Sequence, residues 1–328
     1  MDKNRDPRII IYGAGAIGGA LGGHLALAGA EVALIGRAGH INKIRDHGLR
    51  FITPSGTHIL KLRAFTSPAE IDFKSDDIVF LTMKSQNTEA ALCDLQNIVK
   101  DIPIFCFQNG VRNEEIAAKY FPRVYAVMVR IGGEYVTDGE ITVRRDPPGW
   151  LVMSRYPDGI DALVESVSGI VRQAGFHVLI RPNAMPYKWG KLMSNLANAI
   201  GAITNAKWNE TRPIMQAAQE EARNILNLAG IHWISQEDLR KEWPDLDSPP
   251  KRSLTTESQS STWQSLARRQ GTVETEFLNG EIVRLAKRLG KSASINEGLV
   301  RITEEMAAKR ESPGKHTAKE LTQMLGIG

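Results

Sequence analysis

Two groups of residues in this chain have the types and spacing that chemistry needs. The first is Lys191, Asn195 and Asn198, within Trp189-Gly190-Lys191-Leu192-Met193-Ser194-Asn195-Leu196-Ala197-Asn198. At about 100° per residue, these three fall on one narrow stripe of a helix, while Leu192, Leu196, Ile200 and Ile203 crowd another side. Asparagine is a poor helix former, and a merely solvated stripe would carry Glu, Lys or Gln. A polar stripe on a helix that is otherwise apolar is expected to face a cleft or a partner group. The bland alternative is that the asparagines bridge neighbouring backbone. The same reasoning singles out Glu274. On a helix predicted over 273–289, Leu278, Ile282, Leu285 and Leu289 form the apolar stripe, and Glu274 extends it by one turn while Glu276 points to water. A carboxylate on a core-facing stripe needs a partner, because an unpaired buried charge is too costly. Its alternative is a helix-start glutamate favoured by the dipole.

The second group is a glycine turn, Gly13-Ala14-Gly15-Ala16-Ile17-Gly18, after the apolar run Ile9-Ile10-Ile11-Tyr12. Gly13 permits a tight turn, Gly15 lets backbone approach a pyrophosphate, and Gly18 lets the following helix pack close to the strand. The unpaired N–H groups at that helix start would face the phosphates. A second strand, expected over 31–36, ends at Arg37, where an NAD site would carry Asp or Glu to accept from the ribose 2′-hydroxyl. A guanidinium there suits a 2′-phosphate, with His40 and Lys43 near enough in sequence to help. The residue type therefore favours NADP(H) over NAD(H).

These groups require elements to carry them. An alternating pattern of strands and helices follows the glycine turn, interrupted by a hairpin at 49–53 and 58–62 around Pro54-Ser55-Gly56. The run Asp77 to Lys84 is a buried strand with a basic residue at its carboxyl end, followed by a helix over 88–99. Another strand, 102–107, ends in Gln108-Asn109-Gly110. Ligands in an open α/β sheet sit beyond the carboxyl ends of the strands, so Lys84 and Asn109 belong to the rim that holds the glycine turn. The stretches 124–136, 141–145 and 150–154 read as an antiparallel extension, then a helix over 159–174 and a last strand over 176–180. Beyond Arg181-Pro182 only helical patterns remain, apart from a proline-marked loop over 243–253. The expected architecture is an α/β Rossmann-type dinucleotide-binding domain, residues 1–182, followed by an all-helical domain, residues 183–328.

The chain is long enough for two cores, with 42% hydrophobic residues among 328 and a net charge of +4. No basic run with interleaved aromatics suggests nucleic acid, and the small excess of base suits small anions. The polar start resembles no signal peptide, and no apolar run reaches membrane-spanning length. Two cysteines, Cys93 and Cys106, make no disulfide framework and lack metal-ligand spacing. A reducing cytoplasm is the simplest compartment.

Five ordered motifs together resemble the ketopantoate reductase (2-dehydropantoate 2-reductase) family over nearly the whole chain. They are the glycine turn with Arg37, Lys84 after its strand, Gln108-Asn109-Gly110, Trp189 to Asn195, and Glu274 followed by Phe277-Leu278-Asn279-Gly280. The resemblance implies NADPH, a small anionic 2-oxo acid reduced to a 2-hydroxy acid, Lys191 as catalytic acid, and Glu274 beside substrate and nicotinamide. It implies Asn195, Asn209 and Ser261 as substrate contacts and Lys84 and Asn109 along the cofactor, and it allows a homodimer through the helical domain. Two departures bear on the substrate. Ala199-Ile200-Gly201-Ala202 stands where the family commonly has Asn-Pro-Leu-Thr, with Asn198 one position early, and the usual Thr-Glu-Ile-Asp near Glu274 is Val273-Glu274-Thr275-Glu276. The readings that compete are a reductase of a different 2-oxo acid, a 3-hydroxyacid dehydrogenase, and an NADP(H)-sensing protein without turnover. Ala184 to Trp189 lacks the glycine-rich approach of the second, and retention of Lys191 with Glu274 opposes the third.

Overall fold

The computed structural model describes residues 7–247, 250, 252–254 and 260–327. The chain forms two compact units, Met1–Lys188 with Glu237–Ser258, and Trp189–Gln236 with Gln259–Gly328. In the first, β1 (Ile9–Tyr12), α1 (Ala16–Leu27) and β2 (Val32–Ile35) make the opening βαβ turn. After α2 (Ala38–His47), the hairpin β3 (Leu49–Thr53) and β4 (Gly56–Leu60) leaves the main sheet, and β5 (Arg63–Phe65) rejoins it beside β2. The alternation resumes with β6 (Ile78–Leu81), α3 (Thr88–Ile98), β7 (Ile104–Cys106), α4 (Asn113–Ala118) and β8 (Val124–Ile131). Then come β9 (Gly133–Glu134), β10 (Glu140–Val143), β11 (Arg145–Asp146), β12 (Gly149–Arg155), α5 (Ala162–Gln173) and β13 (His177–Ile180).

The main sheet runs β13-β12-β8-β7-β6-β1-β2-β5, and every neighbouring pair is parallel except β12 with β8. Its central strands are near-continuous apolar runs rich in Ile, Val, Leu and Phe, as expected where both faces are covered. The chain fills one side of β1 with β2 and β5, then crosses to the other with β6 and β7. Its topological switch point therefore lies at the carboxyl ends of β1 and β6. At the opposite end, Arg8 Nε and Nη2 donate to the Asp77 carboxylate at 2.8 and 2.6 Å, a buried pair that ties the amino ends of β1 and β6.

The expected antiparallel pairing holds for β12 on β8 and for β9 on β10, but only the first pair extends the main sheet. β9 and β10 instead join the β3–β4 hairpin in a second sheet of order β4-β3-β10-β9. This small sheet explains why α1 is apolar on all sides. A Cβ on Gly22 would stand 2.9 Å from Leu34 of the main sheet. On Gly19 it would stand 2.5 Å from Ile141, and on Gly23 2.6 Å from Phe51, both of the small sheet. α1 is packed between two sheets, and its glycines let both approach.

Helix α6 (Met185–Asn195) begins in the first unit and ends in the second, followed by α7 (Ala197–Thr204) and α8 (Trp208–Leu228). α9 (Gln236–Glu242) and β14 (Arg252–Ser253) precede α10 (Ser261–Ala267), α11 (Asn279–Arg288), α12 (Ser294–Ala308) and α13 (Ala318–Met324). Of the stretch 243–253, expected as a loop of the helical half, the described residues 243–247, 250 and 252–253 group with the first unit instead. β14 pairs antiparallel with β11, and the Glu242 carboxylate accepts from Arg181 and from the Tyr187 hydroxyl. The second unit closes around Ile200, Ile203, Ile214, Ala218, Leu266, Leu299, Ile302, Met306 and Leu321. No helix among the described residues is long and apolar enough to cross a membrane. The architecture is the expected one, a mixed sheet with helices first and helices after it.

Candidate active site

The glycine turn sits at the switch point. Gly13 has φ of 116°, and a Cβ there would lie 2.4 Å from the Met83 nitrogen, so only glycine lets the end of β6 come this close. Thr82 fastens the two strand ends together: its Oγ1 donates toward the Tyr12 and Gly13 carbonyls at 3.1 and 2.9 Å. A Cβ on Gly18 would stand 2.3 Å from the Gly13 carbonyl oxygen, which explains the third glycine by packing. Gly15 differs from both, because nothing lies within 4 Å of where its Cβ would be. α1 has no side-chain cap, and its first backbone bond runs from Gly19 N to Gly15 O at 2.7 Å. The N–H groups of Ala16, Ile17 and Gly18 thus precede the first intrahelical bond, beside open space at Gly15. Donors, dipole and room together fit a pyrophosphate.

Arg37 follows β2, is exposed, and holds its guanidinium 5.9 Å over the Tyr135 ring. The expectation that His40 would help it fails. His40 is buried, packs against Tyr135, and accepts at Nδ1 from the Gly139 N–H at 2.9 Å. Burial also pushes its pKa down, so the ring serves the α2 packing as a neutral group. Lys43 is exposed. Tyr135 was not anticipated beside Arg37: the pattern placed it within a strand over 124–136, whereas it stands after β9 ends at Glu134.

Lys84 and Asn109, both half-buried, end turns that one hydrogen-bond network joins. Ser85 Oγ donates to the Asn109 carbonyl at 3.2 Å, and Asn113 Nδ2 donates to the same carbonyl at 2.8 Å. Gln108 Nε2 donates to the Met83 carbonyl at 2.9 Å and to Thr88 Oγ1 at 2.7 Å, while Thr88 in turn donates to Asn113 Oδ1. Beneath this network lies an ion pair that sequence reasoning missed: Lys188, on the first turn of α6, donates to Glu114 and, at 3.1 Å, to the Gln108 carbonyl. Both side chains are almost wholly buried. Burial pushes the Glu114 carboxyl up, and the ammonium opposes that shift. Local sequence carried no signal for it: Glu114 stands among Arg112, Asn113 and Glu115, and only the fold brings it to Lys188.

In the second unit the continuous helix expected over 189–198 is broken. α6 ends at Asn195, Leu196 is a turn, and α7 begins at Ala197, so Lys191 and Asn195 share one helix while Asn198 belongs to the next. All three are half-buried. Gly190 makes room for the chain at Ile234, whose carbonyl oxygen would lie 1.9 Å from a Cβ. At the break, Asn279 Nδ2 donates to the Leu196 carbonyl at 3.3 Å and to Asn296 Oδ1 at 3.0 Å. Asn296 is itself held by the Glu221 carboxylate, which also accepts from the first N–H groups of α12. The lysine motif and the motif after Glu274 therefore meet through buried amides.

Glu274 is buried, 7% exposed, as its place on the apolar stripe required, yet it is not in a helix. It precedes a 3-10 turn, Thr275–Phe277, and α11 starts only at Asn279. Glu276 is exposed as expected. Ser261 is half-buried at the start of α10, one residue after the capping Ser260, and Asn209 is exposed on the first turn of α8.

Family models of ketopantoate reductase PanE/ApbA match residues 9–158, and of its C-terminal part residues 183–307. The chain belongs to the ketopantoate reductase family. A 2-dehydropantoate 2-reductase of Pyrococcus horikoshii is 30% identical over 299 residues, covering 88% of this chain and 94% of that protein. One from Archaeoglobus fulgidus is 28% identical, covering 91% and 97%. The crystal structure of a PanE/ApbA family ketopantoate reductase from Ralstonia eutropha JMP134 superposes with a TM-score of 0.77 at 28% identity, covering 92% of this chain and 99% of that one. D-mandelate dehydrogenase, solved with NADH and anilino(oxo)acetate, shares the fold at TM-score 0.77 and 21% identity over 92% of this chain and 99% of its own. Membership of the ketopantoate reductase family makes the chain an oxidoreductase.

Proposed function

We propose that this protein reduces 2-dehydropantoate to pantoate with NADPH, residues 1–182 holding the nucleotide and residues 183–328 supplying the catalytic and substrate groups. The observation that carries the reading is the retention of Lys191 and Glu274 in a chain that matches 2-dehydropantoate 2-reductases along most of its length. The open side of the glycine turn at Gly15 and the uncapped start of α1 support the nucleotide. Gly13, Ala14, Gly15, Ala16, Ile17 and Gly18 would hold its pyrophosphate, Lys84 and Asn109 would line it, and Arg37 would take a 2′-phosphate. A bound nicotinamide supplies hydride to the C2 ketone. Charge then grows on the ketone oxygen, where the Lys191 ammonium stabilises it and delivers the proton from Nζ. Glu274 orients a substrate hydroxyl or a water, and Asn195, Asn198, Asn209 and Ser261 hold the substrate.

The break at Leu196 and the run Ala199-Ile200-Gly201-Ala202 favour a second reading, in which the same chemistry acts on a different 2-oxo acid. One experiment separates the two: oxidation of NADPH, beside NADH, with ketopantoate, pyruvate, 2-oxoisovalerate and 2-oxopantoyl lactone. A strong preference for ketopantoate with NADPH upholds the first reading. Preference for another acid upholds the second, and binding of nucleotide without turnover on any acid defeats both.

A further inference from the structure

The buried Lys188–Glu114 pair is not used by the proposed chemistry, and its cost asks for a reason. Taking two charges out of water is expensive, and an apolar pair of similar volume is often as stable or more so. Glu114 lies on α4 and Lys188 at the start of α6, three residues before Lys191 on that helix. The ammonium also bonds the main-chain carbonyl of Gln108, which belongs to the same peptide plane as the Asn109 N–H. In a trans peptide these two groups point in opposite directions, so a fixed carbonyl fixes the direction of the N–H. Gln108 in turn reaches the Met83 carbonyl and Thr88 with its side-chain amide, gripping the turn that carries Lys84.

We propose that Lys188 is a positioning residue for the nucleotide rim: held by Glu114, its ammonium fixes the Gln108 carbonyl and thereby the turns that present Asn109 and Lys84. This rests on the reading that these two residues line a bound nucleotide. Lys188 touches neither nucleotide nor substrate in this role, and it acts through a peptide group. The same helix turn leads on to Lys191, so one side chain anchors both the rim and the beginning of the catalytic helix.

The test compares Lys188→Met, Glu114→Gln and the double variant Lys188→Met/Glu114→Gln by thermal unfolding and by fluorescence titration with NADPH and NADH. Lys188→Met leaves a buried carboxyl already raised by burial, which takes a proton and stays neutral. The double variant removes the charge from both positions and is expected to recover the unfolding temperature lost by either single change. Nucleotide affinity is expected to behave otherwise. It falls about tenfold in Lys188→Met, stays about tenfold down in the double variant, and remains within about twofold of wild type in Glu114→Gln, which keeps the donor to Gln108. Hydrogen exchange should quicken over 108–110 in both variants lacking the lysine and stay unchanged over β1. Recovery of both stability and affinity in the double variant would make the pair purely structural and overturn the proposal, as would an equal loss of affinity in Glu114→Gln. If wild type binds neither nucleotide, the nucleotide reading itself falls and takes this inference with it, an outcome separate from the other two.

Discussion

The glycine-turn rim of the first unit and the lysine region of the second are held by different devices. Around the glycine turn, parallel register sets every position: Tyr12 stands opposite Leu81, and Thr82 and Met83 follow at a spacing the sheet dictates. Side chains such as Thr82 and Gln108 then bond to main-chain carbonyls and lock what the register has already placed. Around Lys191 no ladder exists. Helix ends, a break at Leu196 and a 3-10 turn after Glu274 are joined by amides that lie far apart in sequence, Asn279 and Asn296. A sheet edge thus preserves its site by geometry shared among many residues, whereas a helical site depends on a few polar contacts.

The sharpest way to break the comparison is Lys191→Ala. Turnover should fall by about a thousandfold or more, since both proton supply and oxyanion stabilisation are lost, while nucleotide affinity stays within about twofold. Steady-state rates and fluorescence titration read the two effects, and near-normal turnover would remove the lysine from its role. Next come the glycines. Gly13→Ala meets the Met83 backbone with an unfavourable φ and is expected to cost about 3 kcal/mol in urea unfolding, or to abolish soluble expression. Gly15→Ala meets no protein atom and should leave stability nearly unchanged while weakening nucleotide binding about tenfold.

Asn279→Ala tests the other device. Removing the amide leaves the buried Leu196 carbonyl without this donor, for an expected loss of about 2 kcal/mol in unfolding free energy. If the amides position the lysine, kcat should drop more than nucleotide affinity does; equal loss in both would mean that the contact supports only the fold. The smallest effect belongs to His24, on α1 against Phe51 and Phe176, where burial holds the pKa down to about 4. The unfolded chain takes up this proton near pH 6.5. The contribution of His24 is therefore complete above that pH and is lost as the pH falls toward 4. Chemical unfolding at pH 7 and pH 4.5 should show a decline in stability that is roughly 1 kcal/mol shallower in His24→Leu.

Much of the first unit was readable because its signals are local. An apolar run and three glycines at fixed spacing locate the turn between β1 and α1 without reference to the rest of the chain. The partner sheet of α1 was not readable. Gly19 and Gly23 show only that something approaches the helix, and nothing in the pattern names Ile141 and Phe51. β5 escaped for a related reason: it is three residues long and follows directly on a hairpin strand, so the apolar pattern runs through its start. His40 looked available to Arg37 by sequence distance alone, and the Gly139 N–H, 99 residues away, turned it inward.

In the second unit, burial was read correctly and local geometry was not. Apolar spacing put Glu274 on the core side, and it is buried; the same spacing started α11 six residues too early, because periodicity does not see a 3-10 turn. Asn198 left the helix of Lys191 for a similar reason.

From its residues alone, the chain determined where glycine was needed, which faces were apolar and which polar groups could serve chemistry, since these follow from side-chain volume, backbone freedom and period. Only the tertiary structure decided which distant carbonyls those polar groups would satisfy. Lys188 with Gln108 and Glu114, Asn279 with Leu196, and His40 with Gly139 are pairings between segments whose local patterns carry no mark of each other. They exist because buried polar atoms must find partners, and packing settles which partners come within reach.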